Sequence, residues 1–511
     1  MDWQANSLRR AVVILCAVVL TAAAYFASSG LQRLWWPAWL APLLVLLLAP
    51  RLRAWQAFAV ALVARALAAL NFWHYLRQVV YFPLWLVLFT ILVPAASFAL
   101  AVVFHRGLMR KGYPWLATLA FPVTMVAAEY LFSLSQGTFL NTGYTQLENL
   151  PILQLAAIAG LWGISFSVNL LPSGLAALIS APAKLRLRMA ASLAVFYACV
   201  LSYGAARLYT TPQASGSALV GLVETHAGKD IFPPDASSTF TMYQEYAAQI
   251  KSLAAKGAQF VILPEMTALI PDSASVKVDE FFQKTARDAH IQVLLGILHV
   301  TDHGAYNEGR LYSATGEIET VYRKHHLVPT WESRSTPGTE ISVLSQPAGT
   351  IGIEICRDMD YPELARRYAK QQVGLVLVPA WDQGVGVDAA WHGHLSLMRG
   401  VENGFTMVRD AKVGLLTASD DRGRIIAEES TRTDGALVVM LAAVPVRHDS
   451  TLYQKWGDWF AWTNLAALVA LLAFWFAKSK LQRPRADEHE ITDPLSEAKS
   501  GVLGGRPAIR N

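Results

Sequence analysis

Three polar residues each close an apolar, strand-like run in the second half of the chain. Glu265 follows FVILP, Lys324 follows ETVYR, and Cys356 follows IGIEI. A carboxylate, an ammonium and a thiol can divide the work of covalent acyl chemistry. The thiolate attacks, the carboxylate takes its proton, and the ammonium stabilises both the thiolate and a tetrahedral oxyanion. The backbone N–H of Arg357, one residue past the thiol, is a second oxyanion donor by position. Taken singly, each side chain also fits a surface charge or a packing thiol. Their coincidence at strand ends favours a site, because ligand sites of α/β sheets gather where strands finish.

The elements that must hold these residues lie between Ser217 and Val446. ALVGLV (218–223), QFVIL (259–263), IQVLLGIL (291–298), IGIEI (351–355) and GLVLV (374–378) read as buried strands, with shorter ones at 405–409, 413–417 and 436–441. Helical periods at 237–256, 276–289, 361–371 and 387–403 separate them. Strands alternating with helices predict a layered α/β domain over 217–446, long enough to bury its own core.

The rest of the chain is too apolar for an ordinary soluble enzyme. Of 511 residues 54% are hydrophobic and 16% charged, against about 25% charged in a typical soluble protein. Spans of roughly 20 apolar residues are expected near 11–28, 34–50, 54–73, 80–104, 115–133, 152–180 and 189–208, and again at 457–477. This predicts a membrane domain of about seven helices over 1–209, a last transmembrane helix at 457–477 and a charged tail at 478–511 without apolar period. Arg9 and Arg10 before the first run also suit a signal peptide, but a second apolar run follows almost at once without a clear small-residue cleavage site. An uncleaved helix is expected.

Lys and Arg favour the cytoplasmic side. With the N-terminus inside, the inside loops hold Arg9, Arg10, Arg51, Arg53, Arg106, Arg110, Lys111, Lys184, Arg186, Arg188, Lys478, Lys480, Arg483 and Arg485. The short outside loops hold Arg33 and Arg77. The α/β domain is thereby expected outside the cytoplasm, and topology accounts for the net charge of +5 without nucleic acid. Cys16 and Cys199 fall within predicted helices, so Cys356 is the one thiol of the outward domain. A thiol without a partner in an oxidising compartment is a candidate for reactivity, though a buried packing cysteine fits equally well.

LPEM (263–266), YRKHHLVP (322–329) and ICRDMDYPEL (355–364) resemble the nitrilase superfamily, whose fold is an α-β-β-α sandwich. GYTQ (143–146) and PILQLAAIAGLWGISFSVNL (151–170), with WWPAWLAPLL (35–44) and Glu129–Tyr130, resemble the bacterial apolipoprotein N-acyltransferase family. So does the order of membrane helices, nitrilase-like domain and final helix. The resemblance covers about 15–477. It implies a polytopic α-helical membrane domain carrying an extracytoplasmic α/β domain, in the bacterial inner membrane with the catalytic half on the periplasmic side. It implies Glu265 as general base, Lys324 as oxyanion stabiliser, Cys356 as acyl acceptor and Glu332 as a second glutamate near the nucleophile. The implied reaction uses no cofactor or metal. An acyl chain moves from a phospholipid donor to a Cys356 thioester, then to the α-amino group of a diacylglyceryl apolipoprotein, within the lipid bilayer.

Some positions depart from the family pattern. Arg357-Asp358 stands where the family has Tyr-Glu, Glu224-Thr225-His226 where it has Gln-Gly-Asn, and Thr330-Trp331-Glu332 where an aromatic-Gly-Glu run is usual. The loop DIFPPD (230–235) lacks an expected tryptophan. An amidohydrolase or N-acyltransferase of the same fold acting on another amine or amide stays open on that account. An intact Glu265, Lys324 and Cys356 argues against a non-catalytic binding domain. Phe232, Trp331 and Trp381 are candidates for lipid-contacting loops, or ordinary loop aromatics. His325 and His326 are expected to shape the site. His392 and His394 would not share a helix face, and a metal there is not expected. Arg65 and Glu129 lie within or at the end of spans, where ionisable groups are costly and often functional, or snorkel to the surface.

Overall fold

The computed structural model describes residues 7–28, 34–224, 232–382, 387–431 and 437–481. Arg33, Thr225, His226 and the tail beyond 481 lie outside the described residues. Helices run in the order α1 Ser7–Ser28, α2 Leu43–Leu48, α3 Ala54–Ala69, α4 Leu84–Arg110, α5 Pro114–Gln136, α6 Leu150–Leu153, α7 Ala156–Ser180 and α8 Ala183–Tyr209. The α/β part follows as β1 Gly216–Glu224, α9 Ala236–Ala255, β2 Phe260–Ile262, β3 Leu269–Pro271, α10 Asp272–Ala289, β4 Gln292–Thr301, β5 Gly304–Tyr312, β6 Ile318–Arg323, β7 Ser342–Gln346 and β8 Gly349–Ile353. It continues with α11 Pro362–Lys370, β9 Leu375–Ala380, α12 Val387–Leu395, α13 Leu397–Asn403, β10 Thr406–Ala411, β11 Leu415–Ser419, β12 Ile425–Ser430 and β13 Val438–Val446. Last come α14 Leu452–Trp456 and α15 Trp459–Leu481. The chain divides into two units, 1–468 and 469–511; of the second, the described residues are the end of α15.

Among the described residues seven helices are long and apolar enough to cross a membrane, six of them upstream of the α/β part. The run at 34–50, expected as a span, is not one continuous helix. It breaks into a 3-10 turn at Trp36–Trp39, the short α2 and another 3-10 turn at Ala49–Arg51. Pro37, Pro42 and Pro50 explain the break, since each lacks an N–H and fixes φ. The run at 152–180 is interrupted too. Gly160 takes φ 65° at the head of α7, and a Cβ there would lie 2.3 Å from the Tyr453 ring. Only glycine tolerates both demands.

Two sheets face each other, ordered β13-β1-β2-β4-β5-β6, with β3 also pairing β4, and β12-β11-β10-β9-β8-β7. Val220, Leu222, Ile262 and Leu294 of one sheet pack with Ile353, Leu377 and Val408 of the other. On the outer face of the first sheet, Tyr243, Tyr246, Ile250 and Phe282 of α9 and α10 cover Val261, Val293 and Leu295. On the second, Leu364, Tyr368 and Leu397 of α11 and α13 cover Val376, Val378 and Met407. The result is an α-β-β-α sandwich, whose central strands read as unbroken apolar runs because both faces are buried. A further apolar cluster joins Phe72, Leu76, Val80, Phe82 and Leu153 of the membrane half to Trp391, Leu395, Met398 and Val401 of the sandwich.

Candidate active site

Each strand-end residue is fixed by its own local device. Glu265 follows β2, and its N–H donates to Ala380 O of the facing sheet at 3.2 Å. Gly296 on β4 lets this loop come close, since a Cβ there would stand 2.3 Å from Pro264 O. Lys324 follows β6; its N–H donates to Asn307 O at 2.9 Å, and its carbonyl accepts from Gly338 N at 2.8 Å. Cys356 follows β8 and opens a 3-10 turn, Cys356–Asp360, at φ 47°. That left-handed geometry is uncommon for a non-glycine residue and marks strain at a candidate site. The thiol is 5% exposed, and Sγ lies 3.7 Å from Trp381 O.

The charges meet in one buried network. Lys324 Nζ donates to Glu265 Oε1 and Glu332 Oε2, both at 2.8 Å. Burial opposes the ammonium charge, but the two carboxylates outweigh it and hold Lys324 above its ordinary range. Burial pushes the Glu265 carboxyl up, Lys324 pulls it down, and Glu332 adds to the rise; the net direction is upward. A carboxylate raised in this way is a stronger base than an ordinary glutamate. Cys356 is pushed up by burial and by Glu265, against the lowering influence of Lys324 and His392. Glu332 is fixed in turn by accepting Val328 N–H at 2.7 Å.

Asn307 carried no signal in the sequence, and Asp358 carried none beyond its departure from the family pattern. Asn307, on β5, donates through Nδ2 to both Glu265 Oε1 and Glu332 Oε1 at 2.6 Å. Asp358, half of the divergent Arg357-Asp358 pair, is fully buried and accepts from five donors. Oδ2 takes Tyr322 OH at 2.7 Å and Ile355 N–H at 3.2 Å. Oδ1 takes the N–H groups of His325 and His326 at 3.1 and 2.8 Å, and faces His326 Nδ1 at 3.1 Å. This one carboxylate ties the turn of Cys356 to the end of the Lys324 strand. His326 also stacks on Tyr361, ring centroids 3.8 Å apart. The expected divergence of His392 and His394 holds: His394 Nε2 meets Glu428 Oε2 at 2.5 Å, while His392 turns toward Asp382 and Asp360. Among the described residues no group of three or more His, Cys, Asp or Glu side chains is arranged so that it could hold a metal ion.

Glu265, Lys324, Glu332 and Cys356 line one cavity of about 330 Å³, walled by Trp331 and Trp381 and, from the membrane half, by Tyr75, Leu76, Val80, Phe82 and Phe139. Trp331 Nε1 donates to Val80 O at 2.9 Å, and its ring meets Trp381 edge-on at 6.0 Å. Phe232 lies 6.4 Å from Trp381, and Lys412 stands over both rings. Arg357, also at the wall, donates to Leu327 O at 2.6 Å. The motifs of the membrane half brace this cavity. Gln146 accepts from Trp39 Nε1 at 2.8 Å and donates to Trp35 O at 3.0 Å. Tyr144 OH bonds Thr138 Oγ1 at 2.7 Å and Arg399 Nη2 at 2.8 Å, and Thr138 donates to Asp360 O. Glu129 accepts from Thr142 N–H at 3.2 Å and from Ser165. The break at Gly160 leaves Leu161 N–H to donate to Glu402 Oε1 at 2.8 Å. Arg65 lies over the Tyr25 ring at 5.0 Å, beside a small cavity that it lines with Glu129.

Comparison with known proteins matches both halves. The carbon-nitrogen hydrolase family covers residues 219–448, and the apolipoprotein N-acyltransferase N-terminal domain covers 16–174. An apolipoprotein N-acyltransferase of Geobacter metallireducens is 27% identical over 504 residues, covering 91% of this chain and 95% of that protein. One of Pseudomonas syringae pv. tomato is 26% identical, covering 75% of this chain and 82% of that protein. Among solved structures, a branch 10 member of the nitrilase superfamily from Saccharomyces cerevisiae aligns with TM-score 0.39 and 20% identity, covering 46% of this chain and 93% of that one. Membrane domain and sandwich match in the same order along nearly the whole length of such relatives, and the chain belongs to the apolipoprotein N-acyltransferase family.

Proposed function

We propose that this protein transfers an acyl chain from a phospholipid to the α-amino group of the lipidated N-terminal cysteine of apolipoproteins, through a thioester on Cys356. The observation that carries this reading is the shared cavity: a strained, buried thiol beside a Glu–Lys–Glu network, under aromatic and aliphatic walls supplied by the membrane half. Such walls suit acyl chains, and the charged floor suits ester chemistry. The bacterial inner membrane, with the sandwich on its periplasmic side, is the setting in which both lipidated substrates would present their head groups to this cavity.

In the first half-reaction the Cys356 S–H proton passes to the Glu265 carboxylate as sulfur bonds to the ester carbonyl carbon. Lys324 and the Arg357 N–H hold the oxyanion. The C–O bond then breaks, and the departing lysophospholipid oxygen takes the proton from Glu265. In the second, the neutral α-amine attacks the thioester and gives a proton to Glu265. The C–S bond breaks, the amide remains, and the proton returns to sulfur. Glu332 and Asn307 keep Glu265 and Lys324 aligned. The test supplies purified protein in micelles with labelled phospholipid and a diacylglyceryl-cysteine peptide. Label appearing as an N-acyl amide on the peptide is the expected result. Fatty acid released without amide would overturn the transferase reading.

A further inference from the structure

Cys356 has a second charged neighbour, which the two half-reactions above leave without a task. His392, on α12, is 15% exposed, with Nδ1 3.0 Å from Asp382 Oδ1 and Nε2 3.5 Å from Asp360 Oδ1. Arg409 grips Asp382 from behind with both Nη atoms, one at 2.7 Å. Gly414 leaves room for that carboxylate, since a Cβ there would stand 2.3 Å from Asp382 Oδ2. The imidazole and the Cys356 thiol line the same cavity, and the charge of each bears on the other. With Nδ1 held by Asp382, Nε2 is the ring nitrogen left to serve the thiol. Tyr75 of the membrane half lines the same cavity, while Glu265 and Lys324 bear on the thiol. Asp360 is shared with the charges of Arg357 and Arg399.

A thiol and a carboxylate-held imidazole gathered at one cavity are the components that activate nucleophilic cysteines on other folds. Here the imidazole has a carboxylate near each nitrogen. Burial works against its charge, yet Asp360 and Asp382 keep it well above the ordinary histidine range. Lys324 shares its charge between two glutamates, whereas Asp382 is offset by Arg409.

We propose that His392 is a further catalytic residue: a fixed imidazolium that pairs with Cys356 Sγ whenever sulfur is negative, before attack and again as it leaves the thioester. No proton leaves His392 in this scheme. The S–H proton still goes to Glu265, and the imidazolium stabilises the anion left behind. The inference rests on Cys356 being the nucleophile, and its test needs neither lipid donor nor acceptor.

The experiment uses the full chain in micelles with Cys16→Ser and Cys199→Ser, so that Cys356 is the one remaining thiol. The rate of alkylation by iodoacetamide is followed against pH. His392→Gln should move the midpoint upward and slow alkylation at neutral pH about tenfold, the equivalent of one pKa unit. Superimposable profiles from a variant that melts like the parent would overturn the proposal. Should that variant not fold, a Cys356→Ser protein gives the second reading. Carbethoxylation of His392 at alkaline pH, resolved by peptide mass, should be several-fold faster there than in the parent, because the anion that favours its charge is gone. Equal rates in the two proteins would likewise overturn it. A shifted alkylation profile with no acyl adduct from phospholipid would count against the donor alone. An adduct with an unshifted profile would count against His392 alone.

Discussion

Asp358→Asn replaces one carboxylate oxygen by an NH2 group without changing shape, at the point where the Cys356 turn meets the Lys324 strand. Five donors converge on that carboxylate. If the NH2 takes the Oδ1 position, it opposes two backbone N–H groups; at the Oδ2 position it opposes Ile355 N–H, while the Tyr322 hydroxyl can turn to accept. The second orientation costs less. It leaves one buried N–H unpaired, about 1–3 kcal/mol, and weakens a charge-assisted contact to His326, about 1.5–3 kcal/mol. A total of about 2.5–6 kcal/mol should lower the melting temperature by roughly 5–24 °C, at roughly 2–4 °C per kcal/mol for a domain of this size. The assay is thermal unfolding in micelles together with iodoacetamide alkylation of Cys356, since a loosened turn should also relax the φ 47° geometry at the thiol. Wild-type melting with wild-type alkylation would refute the idea that this carboxylate joins the two strand ends.

Other consequences can be measured the same way. His326 is disfavoured as a cation by burial, yet Asp358 and Glu363 hold it up to about 9. Because the folded value exceeds the ordinary 6.5, its stabilisation is complete below that pH and is lost as pH rises through about 9. The melting difference between wild type and His326→Gln should therefore shrink between pH 6.5 and 9.5, and a constant difference would count against the ion pair. Gly160→Ala must place a Cβ 2.3 Å from the Tyr453 ring at a positive φ, so it should lose several kcal/mol; a melting temperature equal to wild type would contradict the described break. Glu354, fully buried with neither carboxyl oxygen hydrogen-bonded, is pushed well up by burial and by Asp358. Its protonated form is favoured by that burial, so Glu354→Gln should change the melting temperature little, whereas a large loss would show an ionised, paired carboxylate.

Apolar runs made the inner strands legible, because β1, β2, β4, β8 and β9 are buried on both faces and their sequences say so. Two of these runs pointed to Glu265 and Cys356 simply by stopping, whereas Lys324 follows β6, a largely exposed strand legible only from its β-prone ETVYR. β5 was not legible: GAYNEGRLY carries polar side chains that are buried by one another, so its pattern gives no strand period and Asn307 passes unnoticed. Hydropathy is equally blind to prolines, which is why 34–50 reads as one unbroken helix although Pro37, Pro42 and Pro50 divide it. His392 sits on a short helix whose sequence suggests only a His-x-His pair, and its partners Asp360 and Asp382 come from other elements. The Arg357-Asp358 pair looked like a departure near the nucleophile. In the fold Asp358 is a hub of backbone contacts, which no local spacing could reveal.

The central claim is that Cys356 carries the acyl chain. Wild-type protein incubated with acyl-labelled phospholipid, without acceptor, should yield a hydroxylamine-labile adduct that maps by peptide mass to Cys356. The adduct should vanish in Cys356→Ala and form far more slowly in Glu265→Gln. No adduct on the wild type, or one that persists in Cys356→Ala, would contradict the account.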